Sequence, residues 1–294
     1  YNGVGIYLDG AHGHMYNIEV YNNIVTNKSG QSYPYGPRPA GIGISDEVFQ
    51  EPTNSVRDIK VYNNLIYNNP GHGLYVYDGA GEVDIYNNTI IDNDQRGIYI
   101  DDGWKKEDLP FNVRVFNNIV RNNGSQIDVG SANNIEIAYN IVSCNSPTGG
   151  TANYHDNIEV PTSTQVVVSE TGGESGNDFH LSNNSPAINA GSATLAASTD
   201  YDGNSRPAGG SYDIGAYEYG GTIEDYLNVS PASLSFPMSA SSLNLDVSSN
   251  VSWTASESLG WLDLSSGSGS NNQSVTVSVT ENTTGADRFE IGRA

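Results

Sequence analysis

Helical periodicity, cysteine and basic side chains are all scarce in this sequence of 294 residues. No long segment keeps apolar residues at the i, i+3, i+4, i+7 spacing of an amphipathic helix, so a mainly helical fold is excluded. Cys144 is the sole cysteine, which excludes an intramolecular disulfide. No apolar run is long enough to cross a membrane as a helix.

Basic residues are outnumbered by acidic ones: 12 Lys and Arg stand against 34 Asp and Glu, for a net charge of -22. The negative electrostatic potential of such a protein repels nucleic acid and anionic membrane surfaces, so neither is expected as a partner. It also disfavours an unassisted grip on a polyanionic sugar, unless bound cations reverse the local sign.

The ends of the sequence also lack expected signals. Tyr1 opens inside a strand-like pattern without a start methionine, and the chain stops at Ala294 without a natural end. No signal peptide is visible. We therefore expect a piece of a longer protein, and an export signal would belong to the part that precedes Tyr1.

What the sequence does have is an internal repeat. The phrase Ile-Glu-Val-Tyr-Asn-Asn-Ile-Val at 18–25 returns, with conservative changes, at 59–66, 83–90, 113–120 and 135–142. The last Asn of each phrase falls at 23, 64, 88, 118 and 140. A coil of roughly 22 residues, with loops inserted in some turns, explains these steps.

A second phrase lies between the first ones, as Gly5-Ile6-Tyr7-Leu8-Asp9 and again from Gly43, Gly73 and Gly97. Each coil thus offers two or three short strands of period two, whose alternate residues point inward. Stacked coils bury these faces together, with strands paired in parallel. We expect Asn23, Asn64, Asn88 and Asn118 to form one internal ladder at a coil corner.

The repeat resembles the right-handed parallel β-helix family that includes pectate-lyase-like proteins and several glycoside hydrolase families. The resemblance covers about residues 1–190 and concerns the Asn-Asn phrases and the Gly-Ile strands. It implies an all-β, right-handed parallel β-helix, a secreted or cell-surface or periplasmic location, and a polysaccharide partner. One fold hosts many activities, so the resemblance is specific for the fold only.

Residues 178–219 resemble the C-terminal segment that closes many secreted bacterial β-helix proteins. The matching stretches are Asp178-Phe179-His180-Leu181, Ser185–Gly191, Asp200–Pro207 and Asp213–Glu218. The resemblance implies a structural cap. The run from Asp200 to Asn204 also resembles a calcium loop, but it lacks the bidentate Glu of an EF-hand.

The composition shifts after Gly220-Gly221 to alternating Ser, Val and Leu. Residues 227–294 resemble the BACON domain of Bacteroidetes carbohydrate-active proteins, with its last strand absent. We therefore expect two domains, a β-helix with its closing segment at 1–220 and an incomplete, immunoglobulin-like β-sandwich at 221–294. Trp253 and Trp261 fit the core of that sandwich better than a sugar platform.

The candidate site is the face opposite the inward residues of the second phrase. With Ile6 and Leu8 inward, two outward columns are predicted, whose members are Tyr7, Ser45, Tyr75 and Tyr99 in one and Asp9, Glu47, Tyr77 and Asp101 in the other. The four tyrosines are candidate sugar contacts. Asp9 and Glu47, on adjacent coils, would approach the roughly 5–5.5 Å separation of the two carboxyl groups in a retaining glycosidase. The alternative is a tyrosine ladder that only stabilises the sheet.

Further candidates lie beside these columns. His72 and Asp101 join Asp9 and Glu47 as candidate catalytic residues, and Arg96 and Trp104 join the tyrosines as candidate substrate contacts. A lyase needs a base and a cation or Arg beside the substrate carboxylate. Asp78, Asp101 and Asp102 could cluster around Ca²⁺, although a protein without any cofactor fits the sequence equally well. The base or clamp would be Arg96, Lys105 or Lys106, and the insertions Ser29–Gly41 and Asp102–Asp108 would form the groove walls.

Two functions remain open from the sequence. The first is a monomeric, extracytoplasmic, polysaccharide-degrading enzyme, either a lyase or a glycoside hydrolase. The excess of acids favours a neutral glycan and a hydrolase, whereas family prevalence favours a lyase. The second is a non-catalytic carbohydrate-binding or surface structural protein.

Overall fold

The structure is a computed structural model that describes residues 4–10, 13–26, 39–47, 55–103, 108–143, 152–170, 178–220, 227–249, 251–270 and 272–288. The regular elements of these residues are all β-strands. None of the described residues belongs to a helix that could cross a membrane. The chain divides into two compact units, Tyr1–Ile223 and Glu224–Ala294.

Three parallel sheets and a two-stranded antiparallel sheet, Val167–Ser169 with Asp178–Leu181, form the first unit. Sheet A contains Val4–Asp9, Ala40–Ser45, His72–Tyr77, Arg96–Ile100 and Ser125–Val129. Sheet B contains Met15–Tyr21, Val56–Tyr62, Gly81–Tyr86, Phe111–Phe116, Asn133–Ala138 and Asn153–His155. Sheet C contains Ile24–Thr26, Leu65–Tyr67, Thr89–Ile91, Ile119–Arg121, Ile141–Ser143 and Ile158–Val160. The chain visits the sheets in turn, which confirms the right-handed parallel β-helix.

Period two places one apolar set of residues inside the coil. In sheet A the inward residues Ile42, Ile44, Leu74 and Val76 are fully buried. They join the inward residues of sheets B and C in one continuous core that runs along the coil. Because no single coil could bury this surface alone, the stability of the unit comes from stacking.

The predicted asparagine ladder is confirmed. Each amide of the set donates from Nδ2 to Oδ1 of the next coil at 2.9 Å, in the order Asn23, Asn64, Asn88, Asn118, Asn140 and Asn157. Asn88 Nδ2 also donates to the carbonyl oxygens of Val61 and Tyr86 at 2.8 and 3.1 Å. The ladder therefore satisfies backbone groups that the buried corner between sheets B and C would otherwise leave unpaired.

A second ladder runs along the corner between sheets C and A. Asn69 donates to Asn93 at 2.8 Å, and Asn93 donates to Asn123 at 2.9 Å. Each of these residues follows a member of the first ladder by five positions. Sequence analysis missed this ladder, although that constant offset was its signal.

The first Asn of each Asn-Asn pair has a different role. Asn22, Asn63, Asn87 and Asn117 adopt left-handed backbone conformations, with φ between 51 and 55°. Asn tolerates this region better than most residues, and the conformation makes the tight turn from sheet B to sheet C. These side chains point away from the inner ladder and are available to a neighbouring segment.

That neighbour is the closing segment, 178–219. Asn117 Nδ2 donates to Ser192 O at 2.9 Å, and Asn63 Nδ2 donates to Thr199 O at 2.7 Å. Phe179, Ile214 and other apolar residues of the segment form a second core with the outward residues of sheet C. The segment thus lies along the side of the coil, whereas the resemblance implied a cap.

Buried polar contacts hold the closing segment in shape. Arg206 Nη1 donates to Glu218 Oε1 at 2.6 Å, and both side chains are fully buried. The Asp200 carboxylate accepts from the backbone N and Nδ2 of Asn204 at 2.8 and 2.9 Å and from the backbone N of Glu218 at 3.0 Å. The Asp200 carboxylate, the first residue of the run that resembles a calcium loop, thus accepts hydrogen bonds from protein donors.

A charged cluster lies where the coil meets the chain that leads into this segment. Arg121 is fully buried and donates to the carbonyl oxygens of Thr164 and Thr162 at 2.8 and 3.0 Å. Its Nε lies 3.6 Å from Glu170. Burial, and then repulsion from Glu170, raise the pKa of the half-buried Asp92 to about 6.

The second unit is a small antiparallel β-sandwich. One sheet contains Leu227–Ser230, Ser241–Ser249, Gln273–Val279 and Leu262–Leu264, and the other contains Ser252–Thr254 and Ser268–Ser270. Trp253 is 5% exposed and packs against Val247 and Val275, as expected of a core residue. Trp261 is only half-buried, so it is not a core residue as expected, and the Arg288 guanidinium lies 4.6 Å over its ring.

Replacement of Asn88 tests the inner ladder. Asn88→Ala removes both the acceptor for Asn64 and the donor to Asn118, so neighbouring groups lose their partners inside the coil. We expect the free energy of unfolding to fall by about 1–3 kcal/mol in urea denaturation. The control is Asn133→Ala at an exposed strand position; an equal loss in both variants would contradict the ladder's role.

The raised pKa of Asp92 predicts a pH-dependent stability. Because the folded pKa lies above the unfolded value, the folded state binds more protons, and the free energy of unfolding falls as pH rises from about 4 to 6. Asp92→Asn should therefore stabilise the protein at pH 7.5, by about 1 kcal/mol after allowance for partial exposure, and change little near pH 4. Urea denaturation at both pH values is the measurement, with exposed Asp94→Asn as the control. Destabilisation by Asp92→Asn at pH 7.5 would contradict the account.

Candidate functional site

The outer face of sheet A carries the predicted columns, but with a different register. Tyr7 lies opposite Gly43, Gly43 opposite Tyr75, and Tyr75 opposite Tyr99. Ser45 lies opposite Asp9 and Tyr77, and Glu47 follows two residues later. The expected neighbour relation between Asp9 and Glu47 is therefore wrong. The shift arises because Gly41-Ile42 and Gly43-Ile44 read alike in the sequence, and Gly41 is the true equivalent of Gly5.

The prediction that this face is exposed is also wrong at its centre. Tyr75 and Tyr77 are 1% exposed and Tyr99 is 8% exposed. Their rings stack in parallel, with centroids 4.2 Å apart for Tyr75–Tyr77 and 4.9 Å for Tyr75–Tyr99. Alternation fixes which side of a strand a residue occupies, but not whether another layer covers that side. The tyrosines form a small outer core with Ala40.

His72 and Arg96 belong to the same packed layer. His72 is fully buried, with its ring 5.2 Å from the Tyr75 ring, and its Nδ1 accepts from the backbone N of Arg96 at 3.3 Å. Arg96 places its guanidinium 4.1 Å over the Tyr99 ring and forms an ion pair with Asp128 at 2.6 Å. His72 is therefore not on an open face, whereas the Arg96 side chain is 36% exposed and is already bound to Asp128 and Tyr99.

Three of the candidate residues meet in an arrangement that was not predicted, at the partly exposed end of the layer. Tyr7 from the first coil and Tyr77 from the third meet across the small residues Gly43 and Ser45, and their hydroxyl oxygens lie 2.9 Å apart. Tyr7 donates to Glu47 Oε1 at 2.5 Å, and Tyr77 lies 3.4 Å from the same oxygen. Burial, and then the hydrogen bond to Glu47, raise the pKa of Tyr7, so its phenol stays protonated.

The accessible groups of this region are Tyr7, Asp9 and Glu47, which are all partly exposed. Asp9 lies opposite Ser45 in sheet A, and Glu47 follows Ser45 by two residues, beyond the end of that strand. Asp9 and Glu47 are therefore not directly opposed, as the retaining arrangement required.

Asp101 does not join the cluster, whereas Asp78 lies beside it, with a carboxylate oxygen 3.5 Å from the Ser45 hydroxyl. Asp101 is buried, accepts a hydrogen bond from the Tyr99 hydroxyl, and accepts another from the backbone N of Ser131 at 3.1 Å. Asp78 is buried, and Asp102 is half-buried. Within the described part of the chain, no three His, Cys, Asp or Glu side chains converge as metal ligands would. Trp104, Lys105, Lys106 and most of the insertion Ser29–Gly41 lie outside the described residues.

These features define the class of the protein: a right-handed parallel β-helix with a small β-sandwich. The family described as right-handed β-helix region matches residues 1–184, and the chain therefore belongs to that family. Residues 226–290 match the family described as viral BACON domain. No curated protein and no solved structure shows significant similarity to the chain.

The buried tyrosine layer makes a stability prediction. Tyr75→Ala would leave a cavity between Tyr77, Tyr99 and His72, so we expect a loss of about 3–5 kcal/mol in the free energy of unfolding, as for other large aromatic truncations. Replacement of an exposed binding residue by Ala would leave the free energy of unfolding almost unchanged. Thermal and urea denaturation measure the difference, with half-exposed Tyr219→Ala as the control.

Proposed function

We propose that the protein is a polysaccharide-degrading enzyme of the extracytoplasmic space, with its reaction centred on Glu47 and Tyr7. The observation that carries the proposal is the approach of two phenol groups to one carboxylate at a partly exposed edge of sheet A. β-helix and BACON domains are typical of extracellular proteins, and β-helix domains are common in polysaccharide-active enzymes.

The chemistry follows from the proton positions. Tyr7 is a protonated donor whose present acceptor is Glu47. A glycosidic oxygen that replaces Glu47 as the acceptor would take the Tyr7 proton as its bond to the sugar breaks, and it would leave as a hydroxyl. Glu47 would take a proton in return, either from the water whose oxygen bonds to the sugar carbon in hydrolysis or from the ring carbon that forms the double bond in elimination. Transfer of that proton from Glu47 to the Tyr7 phenolate would restore both groups. Asp9 is the second carboxylate within reach of the same edge.

Charge favours a neutral or weakly charged glycan. The only nearby described cation of sheet A, Arg96, is held by Asp128 and Tyr99. The net charge of -22 adds a general repulsion of polyanions. Hydrolysis of a neutral chain therefore agrees with the described residues better than elimination from a uronate.

The second candidate is a non-catalytic carbohydrate-binding or surface structural protein. The burial of Tyr75, Tyr77 and His72 favours it, because most of the predicted groove residues are used in packing. Under this alternative the sheet A layer stabilises the coil, and no polysaccharide is cleaved.

Product analysis on a polysaccharide panel separates the two candidates. Reducing-end and thin-layer assays detect cleavage, and absorbance near 235 nm detects the unsaturated sugar of a lyase. We expect Glu47→Gln and Tyr7→Phe each to lower turnover at least about 100-fold, as for loss of a general acid or base. The matched control is Glu19→Gln, an exposed Glu paired with Lys60 on sheet B.

Two outcomes would contradict the enzyme proposal. Full activity in Glu47→Gln would move the reaction away from this cluster. A complete lack of products from a folded wild-type protein, on every polysaccharide of the panel, would favour the non-catalytic alternative.

A further inference from the structure

The outer face of sheet B carries an aromatic row of its own. Tyr21, Tyr62, Tyr86 and Phe116 occupy the same register position on four successive coils. The Tyr21–Tyr62 and Tyr62–Tyr86 rings are both stacked in parallel with centroids 5.0 Å apart. At that separation parallel rings are offset, so each one leaves part of its face uncovered by its neighbour.

Exposure rises along this row. Phe116 is 3% exposed, Tyr86 8%, Tyr62 is partly exposed and Tyr21 is 50% exposed. The closing segment accounts for the covered end of the row, because Ala197 packs in one buried cluster with Phe116 and Tyr86.

Two hydrogen bonds show where along the coil the closing segment stops covering the aromatic row. Asn87 Oδ1 accepts from the backbone N of Ala197, and Asn63 Nδ2 donates to Thr199 O. Among the residues that the structure describes, Asn22 of the next coil has no such bond. The covered part of the row therefore ends at Tyr62, and Tyr21 lies in the open.

A shallow groove lies at this boundary. Its floor is formed by Tyr21, Tyr62, Tyr86, Asn22 and Asn63, and residues 196–199 form its wall. It holds about 200 Å³, which is below the roughly 300–1,000 Å³ of a site that encloses a small molecule. The groove is therefore too small to enclose a ligand, and it suits an extended chain that lies in it along the coil axis.

The side chains that line the groove indicate which kind of ligand chain it would bind. It consists of Tyr, Asn, Ala, Ser and Thr, without a charged side chain. Aromatic faces beside amides and hydroxyls match the apolar faces and the hydroxyl groups of a neutral sugar. The Tyr62 hydroxyl donates to Glu19 Oε2 at 3.1 Å, so this ring is held in place before any ligand binds.

We propose that this groove is a binding site for a neutral polysaccharide, separate from the Glu47 cluster of sheet A. The sugar chain runs along the coil axis over Tyr21 and Tyr62, with one sugar ring for each coil. The closing segment forms one wall of the site, so it contributes to binding as well as to the stability of the coil.

Affinity electrophoresis of the 294-residue chain tests the proposal. Native gels contain a mixed-linkage glucan, a xylan or a galactomannan, and one gel contains polygalacturonate as the anionic comparison. We expect at least one neutral gel to retard the protein, and Tyr21→Ala to weaken that binding about tenfold. Tyr21→Phe should retain it, because the ring remains.

Three further variants complete the design. Tyr16→Ala is the matched control, since Tyr16 is 64% exposed on the same strand but outside the groove. Ser198→Arg fills the groove from its exposed wall without altering the tyrosine row and should abolish retardation. Asn133→Ala, at an exposed position of sheet B outside the groove, should leave retardation unchanged. Circular dichroism of each variant establishes that it is folded.

Several results would overturn the proposal. They are the absence of retardation in every neutral gel, retardation by polygalacturonate alone, equal losses in Tyr16→Ala and Tyr21→Ala, or loss in Asn133→Ala. Concentration-dependent dimerisation that Tyr21→Ala abolishes, without any polysaccharide binding, would assign the groove to a second copy of the chain instead.

Discussion

The inner corner between sheets B and C is the constraint on which the rest of the structure depends. A coil must turn there inside a dry core, where unpaired amides and carbonyls are costly. The ladder of Asn amides meets this demand, because each Asn Oδ1 accepts from the previous coil and each Nδ2 also reaches carbonyl oxygens, as at Asn88. Strand register in all three sheets follows from that stacking, and so do the aromatic rows on the outer faces.

On three coils the residue before the ladder Asn links the coil to its closing segment. Left-handed turns at Asn63, Asn87 and Asn117 point these amides outward, where the segment binds them. The extent of the segment then determines which outer surface stays accessible. On sheet B it covers Phe116 and Tyr86 and leaves Tyr21 open. In each Asn-Asn pair, the second residue thus supports the fold of the coil, and the first residue helps to determine which outer surface is accessible for binding.

Sequence predicted the parts of the structure that repeat. The coil, the parallel strands and the ladder at Asn23, Asn64, Asn88 and Asn118 all follow from one phrase, because equivalent residues of stacked coils must meet. The sequence could not place Glu47, since the Gly-Ile pairs at 41 and 43 fit the register equally well. It also could not predict the burial of Tyr75 and His72, because burial depends on the layers that cover a sheet. The open Tyr21 was missed because the Asn63–Thr199 contact joins distant parts of the chain.

The central claim is that the two Asn residues of each pair have separate roles. Hydrogen–deuterium exchange of Asn87→Gly tests it most directly. Glycine keeps the left-handed turn but removes the amide that binds the backbone of Ala197, Asp213 and Gly215. The account predicts faster exchange confined to the closing segment, 178–219, with the strands of sheets A, B and C still protected. Loss of protection throughout the coil, or no change in the closing segment, would contradict it.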